Sequence, residues 1–197
     1  MGPFLVRRLT DTPWFVQRNM LVLLGAIGEW PGGFSPAAHA HHEDERVRRT
    51  ALKLMLGRPE LREAALVEAL GDPAETVLRM GLGAAAESCP PAALPRILVL
   101  LQDQDRDPEL RALAIRALGT VSASTTRDWL INTALGRKRW FRKRRLAPKS
   151  PELLVILPIL AERWVTHPDA AAVVRLAAKS TDPDIRAAAR AGGGEAV

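Results

Sequence analysis

Asp107-Pro108-Glu109-Leu110-Arg111-Ala112-Leu113-Ala114-Ile115-Arg116-Ala117-Leu118-Gly119 is written as one short helix with punctuation at both ends. Asp107 can accept from the free N–H groups of a first turn, Pro108 suits the first helical position, and Glu109 suits the positive end of the helix dipole. Leu110, Leu113, Ala114, Ala117 and Leu118 recur at the i, i+3, i+4, i+7, i+8 spacing of one buried face, and Gly119 sits where such a helix stops. A helix this short cannot hide that face alone, so it needs neighbours.

The same phrase, an Asp-containing turn followed by an apolar residue and Arg, returns along the chain. It reads Asp11-Thr12-Pro13-Trp14-Phe15-Val16-Gln17-Arg18, Asp44-Glu45-Arg46-Val47-Arg48, Asp72-Pro73-Ala74-Glu75-Thr76-Val77-Leu78-Arg79 and, last, Asp182-Pro183-Asp184-Ile185-Arg186. Aligned on the apolar residue, Val16, Val47, Val77 and Leu110 are separated by 31, 30 and 33 residues. Ile185 follows only 75 residues later, and a degenerate copy at Ser150-Pro151-Glu152-Leu153 divides that gap into 43 and 32. Between these helices lie partners with the same periodicity, at 59–70, 90–101, 125–135 and 168–179. The fold class is therefore all-α, a solenoid of about six helical pairs, each pair burying its apolar face against the next. Helices are expected over 4–9, 13–27, 35–41, 44–56, 59–70, 73–86, 91–101, 107–121, 125–136, 151–165, 168–179 and 182–191, with stops at Gly25, Gly28, Gly119 and Gly136. Val16, Val47, Val77, Leu110, Leu153 and Ile185 should each lie near a helix start and face the core.

Composition agrees with close-packed short helices. The 197 residues are 47% hydrophobic, mostly Ala and Leu, with four Phe, five Trp and no Tyr. No apolar run approaches the roughly 20 residues of a membrane span, and Met1 to Leu9 lacks the apolar stretch of a signal peptide. The single cysteine, Cys89, excludes an internal disulfide framework and a Cys-based zinc site, so a cytoplasmic location is expected. The net charge of +6 is local: 137–149 holds eight basic residues and no acid, and the remainder is net −2. This segment reads as an insertion within the fifth unit of a single repeat domain spanning 1–197. The short Phe4–Leu9 stretch suggests a fragment of a longer array, or the C-terminal part of a larger protein, with Trp14 and Phe15 partly uncovered.

The turn–Val/Leu–Arg–Ala phrases, together with Trp14-Phe15-Val16-Gln17-Arg18-Asn19 and Leu23-Leu24-Gly25, resemble bacterial HEAT-repeat proteins of the phycobilin-lyase-like HEAT class. The resemblance covers nearly the whole chain and implies a HEAT-type α-α superhelix. It implies little about function, because such arrays serve as scaffolds, adaptors, lyases and DNA glycosylases alike. Two departures from the pattern stand out: a stunted helix behind Pro31-Gly32-Gly33 and the basic insertion.

The insertion supplies the sharpest candidate site, Arg137, Lys138, Arg139, Trp140, Phe141, Arg142, Lys143, Arg144 and Arg145. Cations around two aromatics suit an anionic protein, nucleic acid or an anionic lipid surface; equally, Trp140 and Phe141 can simply pin an exposed loop. His39, His41 and His42 stand before a helix cap at Asp44 and read as a polar turn, so no metal ligand is assigned. Arg18, Arg48, Arg79, Arg111 and Arg186 suit an Asp–Arg ladder that ties neighbouring repeats. Cys89 precedes Pro90-Pro91 at a helix start, where a dipole can lower a thiol pKa, but it has no catalytic partner. Asp128-Trp129 invites comparison with a Trp- and Asp-lined base pocket, although Trp129 fits a core position better. Gly-rich phosphate loops, zincin His pairs and nucleophile elbows are missing from the sequence. No catalytic residue, cofactor or metal is therefore assigned. The reading is a protein–protein interaction scaffold or adaptor whose curved surface is lined by the second helices of successive units. The alternative is a nucleic-acid-binding module using 137–145, and the outsider is a DNA-base glycosylase-like enzyme.

Overall fold

The computed structural model describes residues 9, 12–28, 30–136 and 145–192, and all regular structure among them is helical. They form two compact units, one ending at Ala85 and the other beginning at Ala86. The expected helix at 4–9 falls outside the described residues except for Leu9, which is buried.

In the first unit, α1 (Trp14–Ile27) is followed by a single 3-10 turn (Pro36–His39), then α2 (Glu45–Leu56), α3 (Pro59–Ala69) and most of α4 (Glu75–Glu87). A full helix at 35–41 was expected; only the 3-10 turn forms, so the pair begun by α1 lacks a full second helix. Helix α2 packs against α1, the 3-10 turn and α3. One buried cluster joins Leu9, Leu21 and Leu24 to Val47 and Ala51, and another joins Leu52 and Met55 to Ala65, Ala69 and Val77. Gly25 does not stop α1 as expected. A Cβ there would collide with Leu54 Cδ2, so the residue serves close approach of α1 to α2, and the helix ends at Gly28 with φ +79°.

In the second unit, a 3-10 turn (Pro91–Ala93) leads into α5 (Leu94–Gln102), followed by α6 (Pro108–Gly119) and α7 (Ser124–Ala134). Then come α8 (Pro151–Arg163), α9 (Pro168–Ala178) and α10 (Pro183–Ala191). Pro95 explains the late start of α5, because it has no N–H to offer residue 91. Helix α8 is the hub, packing against α6, α7, α9 and α10. Its contacts with α6 and α10 place the first helices of successive pairs side by side.

The helix starts follow the expected chemistry. Asp44 accepts from Arg46 N at 2.9 Å, Asp107 from Glu109 N at 3.1 Å, Ser150 from Leu153 N at 3.2 Å and Asp182 from Asp184 N at 2.9 Å. The repeat register also holds: Val47, Val77, Leu110, Leu153 and Ile185 are buried near helix starts, and Val16 is half-buried. The all-helical architecture is consistent with a HEAT-type helical solenoid, sequence-neighbouring helices packing against one another within each unit.

Candidate functional site

The Arg residues of the repeated phrase divide into locks and one exception. Arg48 donates to both carboxylate oxygens of Asp72, at 2.8 and 2.9 Å, and to the carbonyls of His42 and Glu43. One guanidinium thus ties α2 to the turn before it and to the next repeat. Arg111 repeats the arrangement, bonding Glu152 and the carbonyls of Leu101 and Asp103. Arg186 donates to the carbonyls of Ser180 and Thr181, and Arg79 pairs with Glu75 at 2.7 Å. Arg48 and Arg111 are the expected ties between neighbouring repeats, whereas the bonds of Arg186 are to its own turn and the Arg79–Glu75 pair lies within α4; the bidentate geometry at Asp72 is what Arg rather than Lys provides. Arg18 is the exception: it is exposed and bonds its neighbour Asn19 at 3.0 Å.

Arg18 instead borders a groove between α1 and α2. Two adjoining depressions of about 630 and 600 Å³ share Val22, Thr50 and Lys53, so the groove continues along both helices. On the α2 side stand Arg46, Arg49 and Lys53, at i, i+3 and i+7 on one helical face. On the α1 side the walls are Phe15, Val22 and Ala26, and both Phe15 (51% exposed) and Val22 (47%) face solvent. Leu23 and Ile27, 51% and 47% exposed, are also in solvent but do not line the groove. At each end an Arg covers a Trp ring: Arg46 lies 3.7 Å from the Trp14 centroid, and Arg58 lies 4.6 Å from that of Trp30. No carboxylate lines the groove among the described residues. Asp44, nearby at the α2 start, is engaged by Arg46 at 3.1 Å, while Arg49 and Lys53 form no ion pair among the described residues. The uncovered Phe15 agrees with expectation. This groove lies between first helices, whereas an interaction surface was expected on the second helices.

The sequence had not singled out this groove. Its signal was present in the 46–49–53 spacing, but which neighbouring helix faces those cations depends on packing.

Of the basic patch, Arg137, Lys138, Arg139, Trp140, Phe141, Arg142, Lys143 and Arg144 lie outside the described residues; Arg145 is exposed. The histidines take separate jobs. His39 is buried, and burial, then the neighbouring His42, pushes its pKa down. His42 Nδ1 accepts from Asp44 N at 2.9 Å, and His41 lies 3.7 Å from Glu68. Cys89 departs from the suggested dipole effect: burial pushes its thiol pKa up, away from nucleophilic thiolate. Trp129 was expected in the core but is half-buried, lining a cleft of about 800 Å³ with Arg111 and Glu152. The Glu152 carboxylate in that cleft accepts from Arg111, and Asp128 is exposed and pairs with Arg127 at 2.8 Å. Asp128 and Trp129 are therefore not brought together into one pocket.

Stacked helical pairs, Arg-based cross-repeat locks and an uncovered groove define an α-helical repeat protein. A family model described as HEAT repeats matches residues 63–147 and supports reading the chain as a HEAT-repeat protein. No curated protein matches the chain significantly. Among the described residues, no helix is long and apolar enough to cross a membrane.

Proposed function

We propose that this chain is a protein-interaction scaffold or adaptor, within the phycobilin-lyase-like HEAT class that its opening phrase resembles, and that it works in the cytoplasm without a catalytic role. The supporting observation is the apolar surface that α1 leaves in solvent, where Phe15, Val22, Leu23 and Ile27 are each about half exposed. HEAT repeats commonly carry protein partners on such extended surfaces. A photo-crosslinking residue at Phe15, in cells of origin, tests the reading, with the exposed Val165 in the second unit as control. Discrete protein adducts at position 15 and not at 165 are expected. Adducts to nucleic acid alone, or none, would overturn the proposal.

The second reading, a nucleic-acid interface at 137–145, is supported by the concentration of cations around Trp140 and Phe141. Its dependence on salt separates it from an apolar interface.

A further inference from the structure

We infer that the α1–α2 groove takes an acidic amphipathic helix of a partner protein, an inference that rests on the protein-interaction reading above. The groove has two chemically different walls. Phe15, Val22 and Ala26 offer an aromatic and aliphatic wall on α1, while Arg46, Arg49 and Lys53 offer a cationic row on α2, with Arg18 between them. A matching ligand needs apolar side chains at helical spacing and carboxylates along one flank. It also needs length: α1 has 14 residues, about 21 Å at 1.5 Å per residue, so about four turns of an incoming helix fit.

Two other occupants fit less well. Single-stranded nucleic acid binds by stacking bases on open aromatic faces. Here Arg46 and Arg58 each occupy a Trp face, Val22 and Ala26 offer no π surface, and Phe15 is a single open ring rather than a row for successive bases. A second copy docked groove to groove would set Arg18, Arg49 and Lys53 against their own images, and like charges across an interface are unfavourable.

The test uses the full chain and a labelled synthetic peptide of about 16 residues, matched to the groove length. The peptide carries Leu at i, i+3, i+4 and i+7 and Glu along one flank; Lys-for-Glu peptide and oligouridine serve as comparisons. Fluorescence anisotropy should show binding of the Glu peptide and much weaker binding of the other two. R49E/K53E alters two exposed side chains and should weaken the Glu peptide by about tenfold or more while strengthening the Lys peptide. Raising salt from 0.1 to 1 M, which shortens the screening length from about 10 to about 3 Å, should weaken the wild-type complex without any substitution. Val22→Ser should weaken it as well. The inference is overturned if the Glu peptide does not bind, if R49E/K53E binds it unchanged, or if oligouridine competes it off. Protein adducts at position 15 with no binding of the Glu peptide would leave the interaction surface standing and reject only the acidic helix.

Discussion

At the scale of single residues, α4 carries two glycines with opposite jobs. A Cβ at Gly81 would lie 2.8 Å from Ala69 Cβ and 3.3 Å from its carbonyl carbon, whereas one at Gly83 meets nothing within 4 Å. Gly81→Ala should cost about 1–2 kcal/mol, overpacking less the gain in helix propensity, and Gly83→Ala should add about 0.5–1 kcal/mol. Urea unfolding of the two variants checks both signs. Asp72 supplies a pH-dependent case. Burial would raise its pKa, but hydrogen bonds from Arg48 and Ala74 N, with the charge of Arg48, hold it below the usual carboxylate value. Its side chain is 5% exposed. A lowered folded pKa stabilises above the unfolded value, about 3.9, and that contribution is lost as pH falls through the folded one. Wild-type stability should therefore drop below about pH 4, and Asp72→Asn should flatten that drop. The flattening should be partial. Asp44 is also held low, first by the Arg46 side chain; at Asp182 the N–H of Ile185 and the Lys149 side chain outweigh burial. The locking role of Arg48 was legible in the repeated phrase, because every copy except the degenerate one at 150–153 offers an Arg at one place and a carboxylate at another. That Arg18 has no such lock among the described residues was not legible, since Asp44 pairs with Arg46 instead.

At the scale of elements, helix positions were read well and helix surroundings less well. Capping and proline set the starts of α2, α6, α8 and α10, and those signals are local. Burial on α6 is not local. Periodicity marks Leu110, Leu113, Ala114, Ala117 and Leu118 as one face, but Arg111, Ala112 and Ile115 are buried too, and Leu113 is only half-buried. The cause is that α6 lies between α5 and α8 and is covered from two sides. Leu118, fully buried, should thus be the costlier truncation: about 2–5 kcal/mol for Leu118→Ala, and clearly less for Leu113→Ala, by chemical denaturation. Equal losses at the two positions would contradict this packing of α6. The 3-10 turns at Pro36–His39 and Pro91–Ala93 follow the same lesson. Proline at 36, 91 and 95 rations the backbone N–H groups, and the apolar pattern alone overstates the helix.

For the whole molecule, fold class was legible because repetition multiplies a weak local signal six times, while a partner leaves no comparable repetition. Charge distribution is the remaining global clue, and it divides between two places. One is the α1–α2 groove; the other is 137–149, whose eight cations exceed the chain's net +6. These sites make different predictions in salt. Phosphate-driven binding releases counterions, so its affinity falls with a log–log slope of about 0.9 per neutralised phosphate on duplex DNA. Replacing Arg142, Lys143, Arg144 and Arg145 with Ser removes up to four such contacts. If 137–145 grips nucleic acid, that variant should lose binding at moderate salt, its slope should flatten by up to about 4, and its thermal stability should stay nearly unchanged. If Trp140 and Phe141 only pin the insertion, Trp140→Ala should lower the melting temperature and the four-Ser variant should do almost nothing. R49E/K53E is the internal control, because it changes charge in the groove and leaves 137–149 intact. Duplex DNA binding that survives the four-Ser variant and vanishes in R49E/K53E would move any nucleic-acid interface to the groove. Peptide binding with the opposite pattern would move the protein interface to the insertion.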